Sequence, residues 1–256
     1  MLATITHTKI TEWHSTDQES LFEKNLKTTT EEWIYRSKKI YYNLNSQGYR
    51  CPDWGQIDWT NSILLIGCSV TFGVGLAEED TLSARLSAIT GKSVINLGVG
   101  SSSNQLMLYN SFKLLDQNIR PSQVIVLFSD VSRVTHFKEG HAVTHFGNWI
   151  YPTHSHHNPT SKLSMPKFSD HELNFYSHWI YDSNSDVHGS MSARSIESLW
   201  KSHGINFLGC SAYNGQLSDR YYRLPMVVDK ARDLMHPGTM TIREWADSIG
   251  KRISAA

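Results

Sequence analysis

Through its middle third the chain alternates short apolar runs with stretches of helical periodicity. Residues 62–67 (SILLIG) form an apolar run bounded by turn residues, the pattern of a strand buried on both faces. A glycine-rich turn, CSVTFGVG, follows, and then 81–91 (TLSARLSAITG). Here Leu82, Leu86 and Ile89 fall on one helical face and Gly91 is placed to cap the C-terminus. Residues 93–98 (SVINLG) predict a second strand. The next segment, GSSSNQLMLYNSFKLL, opens as a loop and continues as a helix with Leu106, Tyr109, Phe112 and Leu115 on its apolar side. Pro121 precedes a third strand at 123–129 (QVIVLFS).

Strand, turn and helix repeating in this order imply a parallel sheet with helices on both faces, an α/β fold whose ligands bind at the carboxyl ends of the strands. From about 134 to 192 the periodicity lapses, and the stretch, rich in His, Ser, Asn, Pro and Trp, is expected to be an irregular insertion over those strand ends. The sheet pattern resumes with a helix at 195–204, a strand at 205–212 and a closing helix at 240–252. Residues 1–60 are polar and rich in Trp and Tyr. Segment 17–42 is suited to one or two short helices and 45–55 to turns. The expected organisation is an arm over 1–60 packed on a single domain over 61–256.

Composition narrows the function classes. Lys plus Arg and Asp plus Glu number 24 each, so no broad surface for nucleic acid or anionic membrane is expected. Cys51, Cys68 and Cys210 are too few and too scattered for a disulfide framework or a zinc knuckle. The beginning of the sequence has no basic segment followed by an apolar run, and no stretch approaches the ~20 apolar residues of a membrane span. A cytoplasmic protein acting on a small molecule or glycan, without nucleic-acid or membrane partners, is the expectation. Release by a non-classical route and the oligomeric state stay open.

Two local features carry chemistry. Ser69 stands where a buried strand meets a glycine-rich turn with Gly67, Gly73 and Gly75, which exposes a hydroxyl beside backbone N–H groups able to hold an oxyanion. The same turn also suits a structural or phosphate-binding role, although no Gly-Lys-Ser/Thr follows it. Near the last helix, DLMHPG puts Asp233 and His236 three residues apart. A base and its orienting carboxylate need that proximity, and an ordinary surface turn also produces it.

Together these segments resemble the SGNH/GDSL hydrolases. ILLIGCSVTFGVGL is similar to the first block of that family, NLGVGSSSN (96–104) to the second, VIVLFSD (124–130) stands at the place of the third, and DLMHPG is similar to the last. YNLNSQGYR (42–50) resembles a lead-in of some members. The resemblance implies a three-layer α/β/α flavodoxin-like sandwich with a central parallel sheet. It also implies ester hydrolysis through an acyl-enzyme on Ser69, with His236 as base and Asp233 orienting it, and with no cofactor or metal. The oxyanion hole would be formed by backbone N–H groups of Ser69 and of Gly100 or Ser101.

Three positions depart from the family pattern. Cys68 replaces an Asp, Ser101 aligns with the usual oxyanion glycine, and Ser129 stands where an Asn side chain would donate. Asn104 is the candidate to replace that donor. Arg133 is a candidate for a substrate carboxylate or phosphate, or for a surface ion pair. Trp149 and Tyr151 could stack on a sugar or, with Trp179 and Tyr181, form the insertion's own small core. Nine histidines lie between His136 and His188, among them His141 and His145 four apart and HSHH at 154–157, but no H-E-x-x-H occurs. The expected substrate is an O-acetyl ester, first of all on a carbohydrate. Transfer to a sugar acceptor and a non-catalytic carbohydrate-binding module are the alternatives.

Overall fold

The computed structural model describes residues 10–138, 143–150, 168–212 and 216–255. Five parallel strands form one sheet: β1 (Ile63–Gly67), β2 (Val94–Gly98), β3 (Gln123–Phe128), β6 (Asn206–Ser211) and the two-residue β7 (Tyr222–Arg223), in the order β2-β1-β3-β6-β7. Every residue of β1 and β2 is buried, which is why these segments read as largely apolar runs and not as alternation, with Asn96 the one polar side chain in β2. Ile63 pairs with Val94 on one side and with Gln123 on the other, so β1 is central among the first three strands.

The chain therefore steps from β1 outward to β2 and returns past β1 to β3. Right-handed connections running in opposite directions put the intervening helices, α3 (Leu82–Thr90) and α4 (Asn104–Asp116), on opposite faces. The closing helix α8 (Thr239–Ser254) packs on α3, and α6 (Asn184–Ser202) packs on α4, completing three layers. This strand order is the flavodoxin-like one, and its switch point falls between β1 and β3, at the strand end that carries Ser69.

The register of the two early helices differs from the expected faces. On α3, Leu82 and Leu86 are buried but Ile89 is 44% exposed, because Gly91 ends the helix in a left-handed cap at φ 67° before another turn can pack. On α4, Phe112 is 49% exposed and the buried positions are Leu106, Met107, Asn110, Ser111, Leu114 and Leu115. Polar residues occupy that inner face because Ser111 Oγ accepts the indole N–H of buried Trp200 on α6 at 3.1 Å. An apolar count alone therefore places Leu106 and Leu115 correctly and Phe112 wrongly.

The segment expected to be irregular has regular structure in its described parts. β4 (Val134–Phe137) and β5 (Val143–Phe146) form an antiparallel hairpin. α5 (Asp170–Trp179) starts in a capping box between Ser169 and Glu172, and α6 begins at Asn184, about ten residues before the expected helix. Val134, Phe146, Ile150 and Tyr176 make a satellite core there, with Trp149 and Trp179 packed against it, while Tyr181 is exposed.

In the N-terminal region, α1 (Glu19–Thr28) is the one α-helix among the described residues, and Tyr35, Ile40, Tyr42 and Tyr49 join the main hydrophobic core. Among the described residues no helix is long and apolar enough to cross a membrane.

Candidate active site

β1 ends at Gly67, and Cys68 is extended before a four-residue helix, α2 (Ser69–Phe72), which stops at Gly73 in a left-handed conformation with φ 82°. So short a helix closes only the bonds from the Phe72 N–H to the Cys68 carbonyl and from the Gly73 N–H to the Ser69 carbonyl, and depends on its surroundings. Buried Asn96 on β2 donates from Nδ2 to the Thr71 carbonyl at 2.9 Å. Arg50, 2% exposed, donates to the carbonyls of Gly73 (2.9 Å) and Leu76 (3.0 Å), with its guanidinium 4.8 Å from the Tyr42 ring centroid. Gly98 lets β2 pass directly beneath α2, since a Cβ there would stand 2.2 Å from the Phe72 nitrogen.

The facing loop holds Asp233 and His236. The Ala231 N–H donates to the His236 carbonyl at 2.9 Å and the Gly238 N–H to that of Asp229 at 3.0 Å, closing the turn on itself. The Asp229 carboxylate also accepts the N–H groups of Met240 and Thr241 at the start of α8, so the turn is fixed to the helix that follows. Within it, Asp233 Oδ1 accepts the N–H groups of Met235 and His236, each at 3.0 Å. Asp233 Oδ2 lies 2.6 Å from His236 Nδ1, and His236 Nε2 lies 2.8 Å from Ser69 Oγ. Because a carboxylate can only accept, Nδ1 carries the proton and Nε2 is left to accept from the serine hydroxyl. Ser69, His236 and Asp233 thus form one hydrogen-bonded chain, joined across 167 residues of sequence.

Charge is distributed to suit a base at Nε2. Burial alone would push the Asp233 carboxyl up, but the His236 ring and the converging N–H and O–H donors hold it well below the usual carboxylate range. Burial disfavours the His236 imidazolium, yet the Asp233 carboxylate outweighs it and the net direction is upward from 6.5. Arg133 opposes that rise from the other side of the site.

Gly100 and Ser101 lie in the turn between β2 and α4, where Ser101 takes a left-handed φ of 60° and the Ser102 N–H donates to the Val99 carbonyl at 3.2 Å. Ser102 Oγ and the Val99 N–H both bond to the Gly67 carbonyl, which ties this turn to the end of β1. Ser69, as the first residue of α2, presents one of the N–H groups that a helix start leaves without an intrahelical partner.

Asn104 has a different task from the donor role expected of it. Its Nδ2 donates to the Ser129 carbonyl at 3.2 Å and its Oδ1 accepts the Ser129 N–H at 3.0 Å. Buried at the start of α4, the carboxamide satisfies both backbone groups of Ser129 just beyond β3. Ser129 Oγ in turn donates to the Ser102 carbonyl at 2.7 Å.

Arg133, half-buried in the turn before β4, holds its guanidinium 5.2 Å from the Trp149 ring centroid. His145, pushed down to about 4 by burial and then by Arg133, bonds to Thr135 Oγ1 at 3.1 Å. Tyr151, His141 and the histidines at 154, 156 and 157 lie outside the described residues. Among those described, no group of three or more His, Cys, Asp or Glu is placed to hold a metal ion. Two surface concavities, one lined by Gln56, Asp58 and Lys92 and one by Ile89, Asp247 and Lys251, contain none of the residues of this site.

Residues without any sequence signal complete the site. Thr16 Oγ1 donates to Asp233 Oδ2 at 2.6 Å. Asp17 accepts Arg232 Nη2 at 2.8 Å, both residues being almost fully buried. Arg50 closes the YNLNSQGYR segment and Asn96 opens NLGVGSSSN, but no local pattern marks the supporting role of either.

Serine hydroxyl, imidazole and buried carboxylate thus stand in one hydrogen-bonded chain at the switch point of a flavodoxin-like parallel sheet, in an α/β protein. No protein-family model and no curated protein matches the sequence. Solved structures of G-D-S-L and SGNH proteins do resemble it in fold. One is described as a lipolytic protein of the G-D-S-L family from Desulfitobacterium hafniense DCB-2, at 14% identity and TM-score 0.42, covering 75% of this chain and 99% of that one. The acetyl xylan esterase Est2A from the rumen bacterium Butyrivibrio proteoclasticus is 8% identical at TM-score 0.49, covering 85% and 67%. The SGNH-hydrolase family esterase AlinE4 is 14% identical at TM-score 0.40, covering 77% and 96%. Likenesses of this size carry no argument about activity, which rests on the site itself.

Proposed function

We propose that this protein is a serine hydrolase that cleaves ester bonds through an acyl-enzyme on Ser69. The observation that carries the reading is the continuous chain of hydrogen bonds from Ser69 Oγ through His236 to Asp233, at 2.8 and 2.6 Å. A serine hydroxyl is a weak nucleophile, and a base within hydrogen-bond reach whose tautomer is fixed by a buried carboxylate is what activates it.

In this scheme His236 Nε2 takes the Ser69 proton as Oγ attacks the ester carbonyl. The carbonyl oxygen becomes an oxyanion held by the N–H of Ser69 and by the turn at Gly100 and Ser101. His236 then gives its proton to the leaving alcohol as the acyl–oxygen bond breaks. Water, deprotonated by His236, attacks the acyl-serine; the acyl–Oγ bond then breaks, His236 returns the proton to Ser69 Oγ, and the acid is released. Asp233 stays ionised throughout and stabilises the imidazolium, in keeping with its depressed proton affinity.

Arg133 lies close enough to act on both Cys68 and His236, and a cation beside the site suits a short acyl group on a polar alcohol better than a lipid chain. An O-acetyl ester on a carbohydrate is the substrate class the reading favours. The test is hydrolysis of p-nitrophenyl acetate by the wild type and by Ser69→Ala, with a fluorophosphonate as covalent label. Turnover abolished in the variant, with the label on Ser69, supports the proposal. A folded wild type that neither turns over nor takes the label removes it.

A further inference from the structure

At two consecutive residues, the arm before α1 reaches the acid of the site and the residue just before it. Thr16 Oγ1 bonds to Asp233 Oδ2 at 2.6 Å, and the next residue, Asp17, receives the guanidinium of Arg232, the residue just before Asp233. Arg232 lies over the Trp13 ring at 4.1 Å and also donates to the Glu12 carbonyl at 2.7 Å. Asn25 on α1 donates to the Arg232 carbonyl at 3.0 Å. Tyr42 O–H donates to Asp17 at 2.5 Å and accepts the Gly75 N–H at 2.8 Å, which links the same arm to the loop after α2.

We propose that Thr16 is a positioning residue of the hydrolytic site, its hydroxyl fixing the Asp233 carboxylate and setting how strongly that carboxylate holds His236. The inference rests on the hydrolase reading for its kinetic consequence but not for its geometry. Asp233 is buried, and its carboxylate has about four acceptor sites to satisfy. Two are taken by the N–H groups of Met235 and His236 and one by the His236 ring, so the Thr16 hydroxyl supplies the fourth donor. It shares Oδ2 with the imidazole, so it competes directly for the charge that stabilises the imidazolium. The ion pair of Asp17 with Arg232, one residue along on both segments, holds the hydroxyl in register.

The sign of the effect follows. A donor to Oδ2 lowers the carboxylate's pull on the His236 proton, and its removal strengthens that pull. Thr16→Val therefore raises the His236 titration point and moves the acid limb of kcat/KM upward by roughly half to one pH unit. The other charged or titratable groups facing this pair are Cys68 after β1, Arg133 before β4, and Asp17 on the arm. All three are retained in the variant, so the shift belongs to the lost hydroxyl.

The experiment follows the His236 ring by NMR across pH in full-length wild type, Thr16→Val, Thr16→Ala and Thr16→Ser. The pH profile of p-nitrophenyl acetate hydrolysis is measured alongside. An upward shift in the Val and Ala variants, with Ser restored toward wild type, supports the proposal. Val and Ala titrations that coincide with the wild type overturn it. If the Val variant does not fold, the Ala and Ser variants make the same comparison. A wild type without turnover removes the hydrolase reading, while the NMR titration still decides the role of Thr16.

Discussion

Arg50 Nη1 donates to the carbonyl of Gly73 at 2.9 Å, so a buried cation from before the sheet closes the far end of the turn that carries Ser69. The same guanidinium reaches Leu76 and Tyr41 carbonyls and pairs through Nε with half-exposed Glu78. The planar fork serves several acceptors at once, which a lysine ammonium cannot do at the same positions.

Arg50→Lys is therefore expected to destabilise the protein by about 3 kcal/mol, because buried carbonyls lose their donors. Urea unfolding measures the loss. Turnover falls with it, since the end of α2 is no longer held.

Gly98→Ala tests the close passage of β2 under α2. The added methyl would meet backbone at 2.2 Å, and backbone cannot rotate aside as a side chain can. A destabilisation of about 3 kcal/mol and loss of fluorophosphonate labelling at Ser69 are expected, read by thermal unfolding and by mass.

Asn104→Ala separates a clamp from an oxyanion donor. Removing a clamp leaves the buried Ser129 N–H and carbonyl without their side-chain partner and costs about 2 kcal/mol of stability, with kcat reduced by less than roughly tenfold. Removing an oxyanion donor would lower kcat by about 10²–10³ and leave stability nearly unchanged. The bonds to Ser129 predict the first outcome, and thermal unfolding together with initial rates distinguishes the two.

The Asp233–His236 pair predicts a pH window for stability. Asp233 titrates below its ordinary 3.8 in the folded state, so its contribution is present above that value and is lost as pH falls through the lowered one. His236 titrates above its ordinary 6.5, so its contribution is complete below 6.5 and is lost as pH rises through the raised value. The difference in unfolding free energy between wild type and Asp233→Asn should therefore be largest between about pH 4 and 6.5 and shrink on either side. A difference that is flat across this range would contradict the pairing. For activity, the acid limb of kcat/KM is expected above pH 6.5, and Asp233→Asn should lower the rate at every pH.

The strands β1, β2 and β3 were legible because burial on both faces demands a mostly apolar run, and a short run of this kind between turn residues has few other solutions. Ser69, Asp233 and His236 were legible for a different reason. Each stands beside a glycine or proline turn at a strand end or helix start, which admits other roles, and the resemblance of both segments to one family is what singled them out. The faces of α3 and α4 were less so, because Ser111 is buried for its bond to Trp200 while Phe112 faces water, and apolarity does not record that exchange.

The sequence by itself determined the parallel sheet, which follows from short-range pattern, and through its resemblance to a known family it singled out Ser69, Asp233 and His236. Only the tertiary structure decided what supports them. Thr16 meets Asp233 across 217 residues, Arg50 reaches Gly73 across 23, and Asn104 is occupied by Ser129 across 25. Such partners are chosen by where buried polar groups need satisfying once the layers close, a condition that leaves no periodic trace in the chain.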